Sequence, residues 1–460
     1  MTATANLGAR LGEAVGAERV VCAAEELATY AIDGIVPGAI VRPAAAEGAM
    51  EVVRFAAAEK LGLLPLGSRS KCDMGMAPSR YDIALDMTSL RNIAHYDPGD
   101  MTLSVDAGMP LRELEIFLKR HGQFLPLAVP CFESTTAGGT IASGIDSALR
   151  MQYGGPRDFL IGAEFVNGTG QLCRSGGRVV KNVTGYDLHK LLIGSLGTLG
   201  AITRVNFRTF PLPALSGGHV ASFANCESAI AYRKKVEKSG LPLGNLEALS
   251  PEVSRMIRAI LQSHEATVPA PLEREEWHVY SSYEGSEAIV RRISGDLSGI
   301  AKEAGASQNE VLEPAEDESL GGMLREAYEW MRWGAQTVVV CRLALPEVTA
   351  EILMKLGRLA EGEGVRGAVL ARAAGVVYFA ALTEEESEAA MTALGKVITG
   401  ARALAASKNG HATLLHAPTE VKAKLASGAP NGIDFALQQR VKLAFDPSSI
   451  CAPSRIVGGL

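Results

Sequence analysis

The stretch that most constrains this chain is residues 176–210, GGRVVKNVTGYDLHKLLIGSLGTLGAITRVNFRTF. Gly176, Gly177, Gly185, Gly194, Gly197 and Gly200 punctuate it. Between them Leu188, Leu191 and Leu192 recur at helical spacing, so a short helix is expected over 186–193, ended by Gly194. Residues 195–200 then form a loop whose glycines let the backbone approach a neighbour closely. From Ala201 the period becomes two. Thr203, Val205 and Phe207 face one way, and Arg204, Asn206 and Arg208 the other, as in a strand with one face on a core. A glycine loop feeding a core strand suits a bound dinucleotide, and it equally suits a tight connection between packed elements.

Bulk properties exclude several classes. At 460 residues there is room for two or three domains with large cores. The net charge of −6 with no basic block argues against nucleic acid as a partner, as does an aromatic content of 5%. The N-terminus lacks the apolar core of a signal peptide, and no apolar run reaches the roughly 18 residues that would span a bilayer. The seven cysteines are scattered and form no CxxC pair. The expectation is a cytoplasmic protein with reduced cysteines and neither an iron–sulfur cluster nor a metal site of its own.

Upstream, residues 39–66 read as strand, helix, strand, with Val52, Val53, Phe55, Ala56 and Leu61 on the buried side of the helix and Gly62 as its C-cap. The loop Gly67, Ser68, Arg69, Ser70, Lys71, ending at Gly75, follows at once. Small residues leaving a buried strand can turn successive N–H groups to one point and make an anion nest, to which Arg69 and Lys71 add charge. It is not a Walker A loop, because no Lys-Ser/Thr pair ends it. A plain polar turn has the same composition. Strands are expected near 83–87 and 103–107, and a helix opens at Pro110. Ser134, Thr135 and Thr136 then lead into Gly138, Gly139 and Gly144 around a helix start, where backbone N–H groups and hydroxyls attract phosphate. Residues 153–158 are a turn, and a hairpin follows around 167–170.

Taken together and in this order, the loop at 67–75, the 136–139 segment, Tyr153-Gly154 with Arg157-Asp158, and residues 181–187 through 197–200 resemble the PCMH-type FAD-binding domain of the vanillyl-alcohol oxidase flavoprotein family. Within that family the Lys-Asn-x-x-Gly-Tyr-Asp stretch, and the pieces 410–415 and 445–450, are similar to the E-type FAD-binding subunits of bacterial glycolate dehydrogenases. The resemblance implies an α+β fold: a two-lobed PCMH-type domain at 1–213, a cap at 214–433, and a return to the FAD domain at 434–460. It implies non-covalent FAD, since no histidine stands where the family attaches flavin. The residues implied at the cofactor are Gly67, Ser68, Arg69, Ser70, Lys71, Ser134, Thr135, Thr136, Gly138, Gly139, Gly144, Tyr153, Gly154, Asp158, Lys181, Gly197, Thr198, Gly200 and Ile202. There are departures. The family's triple-glycine loop is Gly67-Ser68-Arg69 here, and its terminal Pro-Gly-Arg/Lys is Pro453-Ser454-Arg455. Arg69 either pairs with the pyrophosphate or hinders close backbone approach.

Residues 214–425 read as two βαββα units, a duplicated ferredoxin-like cap, with inserted material at 250–276 and 306–335. The second insert begins acidic and ends in Trp330 and Trp333, spaced to share a helix face as packing or as a partner contact. The histidine-rich metal motifs of related hydroxy-acid dehydrogenases are missing. His411 and His416, five apart in a strand, should point to opposite faces. Arg325 and Arg342 remain as the cations for a substrate carboxylate. The main expectation is therefore an FAD-binding subunit working beside a larger FAD-containing subunit and an iron–sulfur subunit on a small hydroxy acid. Any membrane contact would be made at the inner face through those partners. The alternatives are a self-sufficient FAD oxidoreductase and a scaffold that has lost the flavin.

Overall fold

The structure, a computed structural model, describes residues 3–178, 185–426, 433–456 and 458–459. Among the described residues three larger sheets carry it, beside a two-stranded pair of Phe210–Pro211 with Gln123–Phe124. In the first, Ala39–Val41, Ile83–Asp86 and Leu63–Leu66 run parallel, with Val20–Val21 antiparallel at the edge. Helix Ala46–Glu59 makes the crossover and buries Ala49, Val52, Val53 and Ala56. It ends two residues earlier than the glycine suggested, with Lys60 as C-cap at φ 56°. Gly62 has a different reason to be glycine, since a Cβ there would stand 2.6 Å from the Arg80 carbonyl oxygen.

The second sheet is antiparallel, in the order Ile93–Asp97, Thr102–Asp106, Ala201–Arg208, Leu160–Val166, Leu172–Gly176. The alternation read for its central strand holds: Thr203, Val205 and Phe207 are buried, while Arg204 and Asn206 are half-buried and Arg208 is exposed. The segment before it differs from expectation. Only a 3-10 turn forms, Leu188–Leu192, and Leu188 and Leu191 lie exposed. His189 is buried in their place, with Nδ1 3.0 Å from Ser175 Oγ, which also accepts the His189 N–H. A single turn is too short for an apolar stripe, and this hydrogen bond decides which side turns inward.

The third sheet has eight strands in the order Gln308–Val311, Leu215–Phe223, Trp277–Gly285, Leu243–Leu249, Arg366–Arg372, Val376–Thr383, Thr337–Ala344, His411–His416. Each half repeats the ferredoxin-like order, and the halves join where Leu243–Leu249 pairs antiparallel with Arg366–Arg372. The expected βαββα units therefore each gain an outer fourth strand. One of these, Gln308–Val311, lies in the stretch read as an insert. Crossover helices Cys226–Ser239, Glu287–Glu303, Ala350–Gly362 and Glu388–Ser407 cover one face. The other face meets helices Pro251–Ser263, Pro314–Arg325 and Ala327–Arg332 and the FAD-binding half. Among the described residues no helix is long and apolar enough to cross a membrane.

The C-terminal segment returns to the first sheet. Leu63 donates to Ile450 O at 2.8 Å and accepts from Ala452 at 2.7 Å, so the tail covers the open edge of Leu63–Leu66. Asp446, fully buried, accepts from Lys442 Nζ at 2.6 Å and from the Cys451 N–H at 2.8 Å. Lys442 Nζ also donates to Thr198 O and Cys451 O. Removing one member of such a buried pair strands the other, at a cost of about 3–5 kcal/mol. Asp446→Ala should therefore lose about that much stability in urea unfolding. A loss under about 1 kcal/mol would show that the tail does not anchor the first sheet.

Candidate flavin site between the loops at 67 and 136

Two segments meet at the C-terminal end of Leu63–Leu66. Gly67 must be glycine because a Cβ would stand 2.3 Å from Thr136 Oγ1. Thr136 caps helix Ala137–Ser143, and its Oγ1 accepts the Gly139 N–H at 3.2 Å. The cavity between the segments is lined by residues 67–72 and by Thr135, Thr136, Gly139, Ala142, Ser143, Leu196 and Arg455. Among the described residues the backbone N–H groups of Gly67, Ser68, Arg69, Ser70, Lys71 and Thr136 have no hydrogen-bond partner. Successive unpaired N–H groups at a loop, beside a helix start, make an anion site.

Lys71 supplies the charge. It is 9% exposed, and Nζ meets only hydroxyls, Thr135 Oγ1 at 2.8 Å and Ser70 Oγ at 3.4 Å. Burial pushes its ammonium down to about 8. Arg69 adopts φ 65°, the conformation a glycine would take, and lays its guanidinium 3.8 Å from the centre of the Tyr30 ring. Its bulk is thereby folded against the wall. These groups fit a pyrophosphate: backbone donors on two sides, a buried cation and hydroxyls between.

The loop is held from outside. Asp73 Oδ2 meets His416 Nδ1 at 2.7 Å and Arg332 Nη1 at 2.9 Å, and Oδ1 accepts from Tyr328 at 2.8 Å. Burial alone would raise the Asp73 carboxyl, but these three cap residues outweigh it and hold it well below the usual carboxylate range. Lys422 Nζ donates to Asp73 O at 2.7 Å and to Asp33. Arg455 donates to the carbonyls of Cys72, Met74 and Met76. The neighbouring loop is tied likewise, since Glu326 accepts the Cys131 and Phe132 N–H groups at 2.5 and 3.3 Å.

Several residues expected at the cofactor lie outside the lining of this cavity or make contacts within the fold. The Gly138 N–H is donated to Ala107 O at 2.8 Å, and a Cβ there would meet Ala107, so this glycine packs the helix against a strand end. Gly144 ends the same helix against Gly194. Ser134 is exposed, with Oγ on Cys131 O. Tyr153 donates to Glu284 of the cap at 2.7 Å. Asp158 accepts the Gly155 N–H beside Gly154, as a cap of a short helix. Thr198 bonds Ser195 O, Gly197 lies against Pro65, Gly200 against the Val166 carbonyl, and Ile202 is core. Leu196, just before them, lines the cavity. Lys181 lies outside the described residues.

The cap expectations also change. A register shift opposite Val340 and Cys341 puts His416 on the same face as His411, against the alternation expected from spacing. Among the described residues no three His, Cys, Asp or Glu side chains form a metal-binding group. Trp330 is buried and donates to Met323 O, whereas Trp333 follows the helix end and is 71% exposed; both line one surface pocket with Met256, Ile260 and Met323. The acidic residues before them act locally: Glu316 caps the helix and Asp317 accepts from Tyr280. Arg342 donates to Gly144 O at 2.8 Å and Asp146 at 3.1 Å, and Arg325 lies over Phe132 and beside Glu326. Asp73, Glu247 and Arg372 escaped the sequence reading. For Glu247 the visible signal was the one charge, at an inward position of an otherwise uncharged strand.

An anion should select the protonated form of Lys71. FAD affinity is then expected to fall as pH rises through about 8, approaching tenfold per pH unit above it. Fluorescence titration of apoprotein should show this slope, and Lys71→Met should bind more weakly with no slope. An equal slope in the variant would move the titrating group elsewhere.

Comparison with known proteins gives the family. Residues 37–176 match the FAD binding domain family, and residues 218–456, over half of the chain, match the C-terminal domain family of FAD linked oxidases. The chain is 37% identical over 168 residues to glycolate oxidase subunit GlcE of Escherichia coli (strain K12), which covers 36% of this chain and 47% of that protein. It is 26% identical over 425 residues to D-lactate dehydrogenase of Archaeoglobus fulgidus, 91% of each. Its fold matches p-cresol methylhydroxylase with a TM-score of 0.79 at 16% identity, over 100% of this chain and 97% of that one. This chain belongs to the FAD-linked oxidases and is an FAD-dependent oxidoreductase with a PCMH-type FAD-binding half and a ferredoxin-like cap.

Proposed function

We propose that this chain is a self-contained FAD-linked oxidoreductase of a small 2-hydroxy acid, rather than one obligate subunit of an iron–sulfur assembly. The observation that carries this reading is the match to D-lactate dehydrogenase across 91% of both chains, through the FAD-binding half and the cap alike. FAD, when bound, accepts the hydride. This chain's own residues bind and orient. Residues 67–71 and Thr136 grip the diphosphate, and Arg325 and Arg342 bring positive charge to the seam between the halves for a carboxylate. The internal seam supports the reading too. Asp73, Glu326 and Arg342 tie cap and FAD-binding half within one chain.

A second reading keeps the chain as a subunit beside a larger flavoprotein and an iron–sulfur protein. It is favoured by the 37% identity to GlcE, which is confined to 168 residues. The flavin-free scaffold has no support beside an FAD binding domain match. The readings part in one assay. The purified, FAD-loaded chain alone should reduce a dye with D-lactate or glycolate at a rate of at least about 1 s⁻¹, within the ordinary enzyme range. Activity appearing only on co-expression with an iron–sulfur subunit would install the second reading.

A further inference from the structure

Helix Ala327–Arg332 stands between two hollows. On one side it serves the flavin site. Tyr328 and Arg332 hold Asp73 of the phosphate loop at 2.8 and 2.9 Å. Glu326, at the helix start, accepts the Cys131 and Phe132 N–H groups, and Glu329 accepts from Cys131 Sγ at 3.0 Å. Cys131 Sγ is also 3.6 Å from the carbonyl of Ser70, which lines the flavin cavity. On the other side Trp330 lines a surface pocket of about 700 Å³. Met256 and Ile260 of helix Pro251–Ser263, with Met323 and Trp333, make the rest of its apolar wall. Glu326 and Glu329 line it too, so the Cys131 thiol and these carboxylates are what separates the pocket from the flavin cavity.

Trp333 is the residue that packing does not explain. It is 71% exposed, yet its indole is fixed: Nε1 donates to Glu329 at 3.2 Å, and the Arg332 guanidinium stands 5.2 Å from the ring centre. An apolar patch rimmed by polar groups marks a binding surface, and this one has the volume of a small-molecule site. The rim says what fits. Arg255 is doubly bonded to Glu252, and Arg366 bridges Glu252 and Glu384. Glu329 is bonded to Arg332, and Glu326 to Arg325 and two loop N–H groups. Each charged residue lining the pocket is therefore satisfied within the chain, and a charged guest would gain no partner there. Methionine sulfurs and indole rings favour a flat aromatic guest.

We propose that this pocket is an effector site for an uncharged, planar aromatic molecule, coupled to FAD through helix Ala327–Arg332. Six residues are too few for a helix to hold itself, so its order depends on what packs against it. A guest against Trp330 and Trp333 braces the helix from behind. The helix then keeps Asp73 and the Cys131 loop in the arrangement that receives the diphosphate, and FAD binds more tightly. Linkage makes the effect reciprocal, so bound FAD tightens the guest by the same factor.

The probe is indole, which is planar and uncharged at pH 7. Equilibrium dialysis of the full-length apoprotein should give a dissociation constant below about 1 mM. FAD-loaded protein should bind indole more tightly by about fivefold or more, and saturating indole should lower the FAD dissociation constant by that same factor. Ala259→Glu puts a carboxylate into the pocket from an exposed helix position outside the flavin machinery. The variant should lose indole binding and the coupling, and keep the wild-type FAD dissociation constant measured without indole. Indole that fails to bind the wild type, or binds Ala259→Glu equally well, overturns the site. Indole that binds in the pocket and leaves FAD affinity unchanged overturns the coupling. Sedimentation that shows a wild-type dimer broken by Ala259→Glu, with no indole bound, gives the face to a second copy of this chain and overturns the proposal.

Discussion

The Asp73 carboxylate is the contact on which the rest of this structure depends. It sits in the loop that leaves the first sheet, and it receives Tyr328, Arg332 and His416 from the cap. The same loop presents its N–H groups to the cavity. Residues on the far side of Asp73 hold its backbone, Arg455 from the tail and Lys422 from the cap. Cap, tail and phosphate loop are therefore one mechanical unit. A donor set built from backbone N–H groups works only if the loop is fixed, because ordering it at the moment of binding would cost affinity. Charged anchors from two other parts of the chain do that fixing in advance.

Backbone strain is present in the same place. Arg69, Cys131, Leu196, Ala452 and Ser454 all have positive φ, at 65°, 56°, 49°, 42° and 68°. Each non-glycine residue in that region costs roughly 1 kcal/mol or more. Two of them, Arg69 and Ser454, replace glycines of the family pattern and keep the glycine conformation. The fold tolerates this because neighbours hold the backbone: the guanidinium of Arg69 lies on Tyr30, and Arg455 beside Ser454 is bonded to three loop carbonyls.

Much of the architecture was legible in the sequence, and the exceptions share physical causes. Period-two alternation at 201–208 and the repeat in the cap follow from local chemistry, and they were read correctly. Glycine was the ambiguous letter. It marks close approach without saying to what. Gly67 does face the cavity wall, but Gly138 approaches Ala107, Gly144 approaches Gly194, and Gly200 approaches the Val166 carbonyl. The histidine pair failed because one register shift reverses alternation, and a shift leaves no trace in spacing. Glu247 and Arg372 lie far apart in sequence and meet only through strand order. A charge in an otherwise uncharged strand could have flagged Glu247, but not this union.

The central claim is that the cap and the cofactor grip are coupled through Asp73. It is tested most directly by the FAD dissociation constant of Asp73→Asn against the wild type, measured by titration of apoprotein at pH 7. Losing the carboxylate breaks charge-assisted bonds to Arg332 and His416, each worth about 1.5–3 kcal/mol, and frees the loop. The account predicts a folded variant whose affinity for FAD falls at least about tenfold. An unchanged dissociation constant would contradict it, and would mean that the phosphate loop holds its shape without the cap.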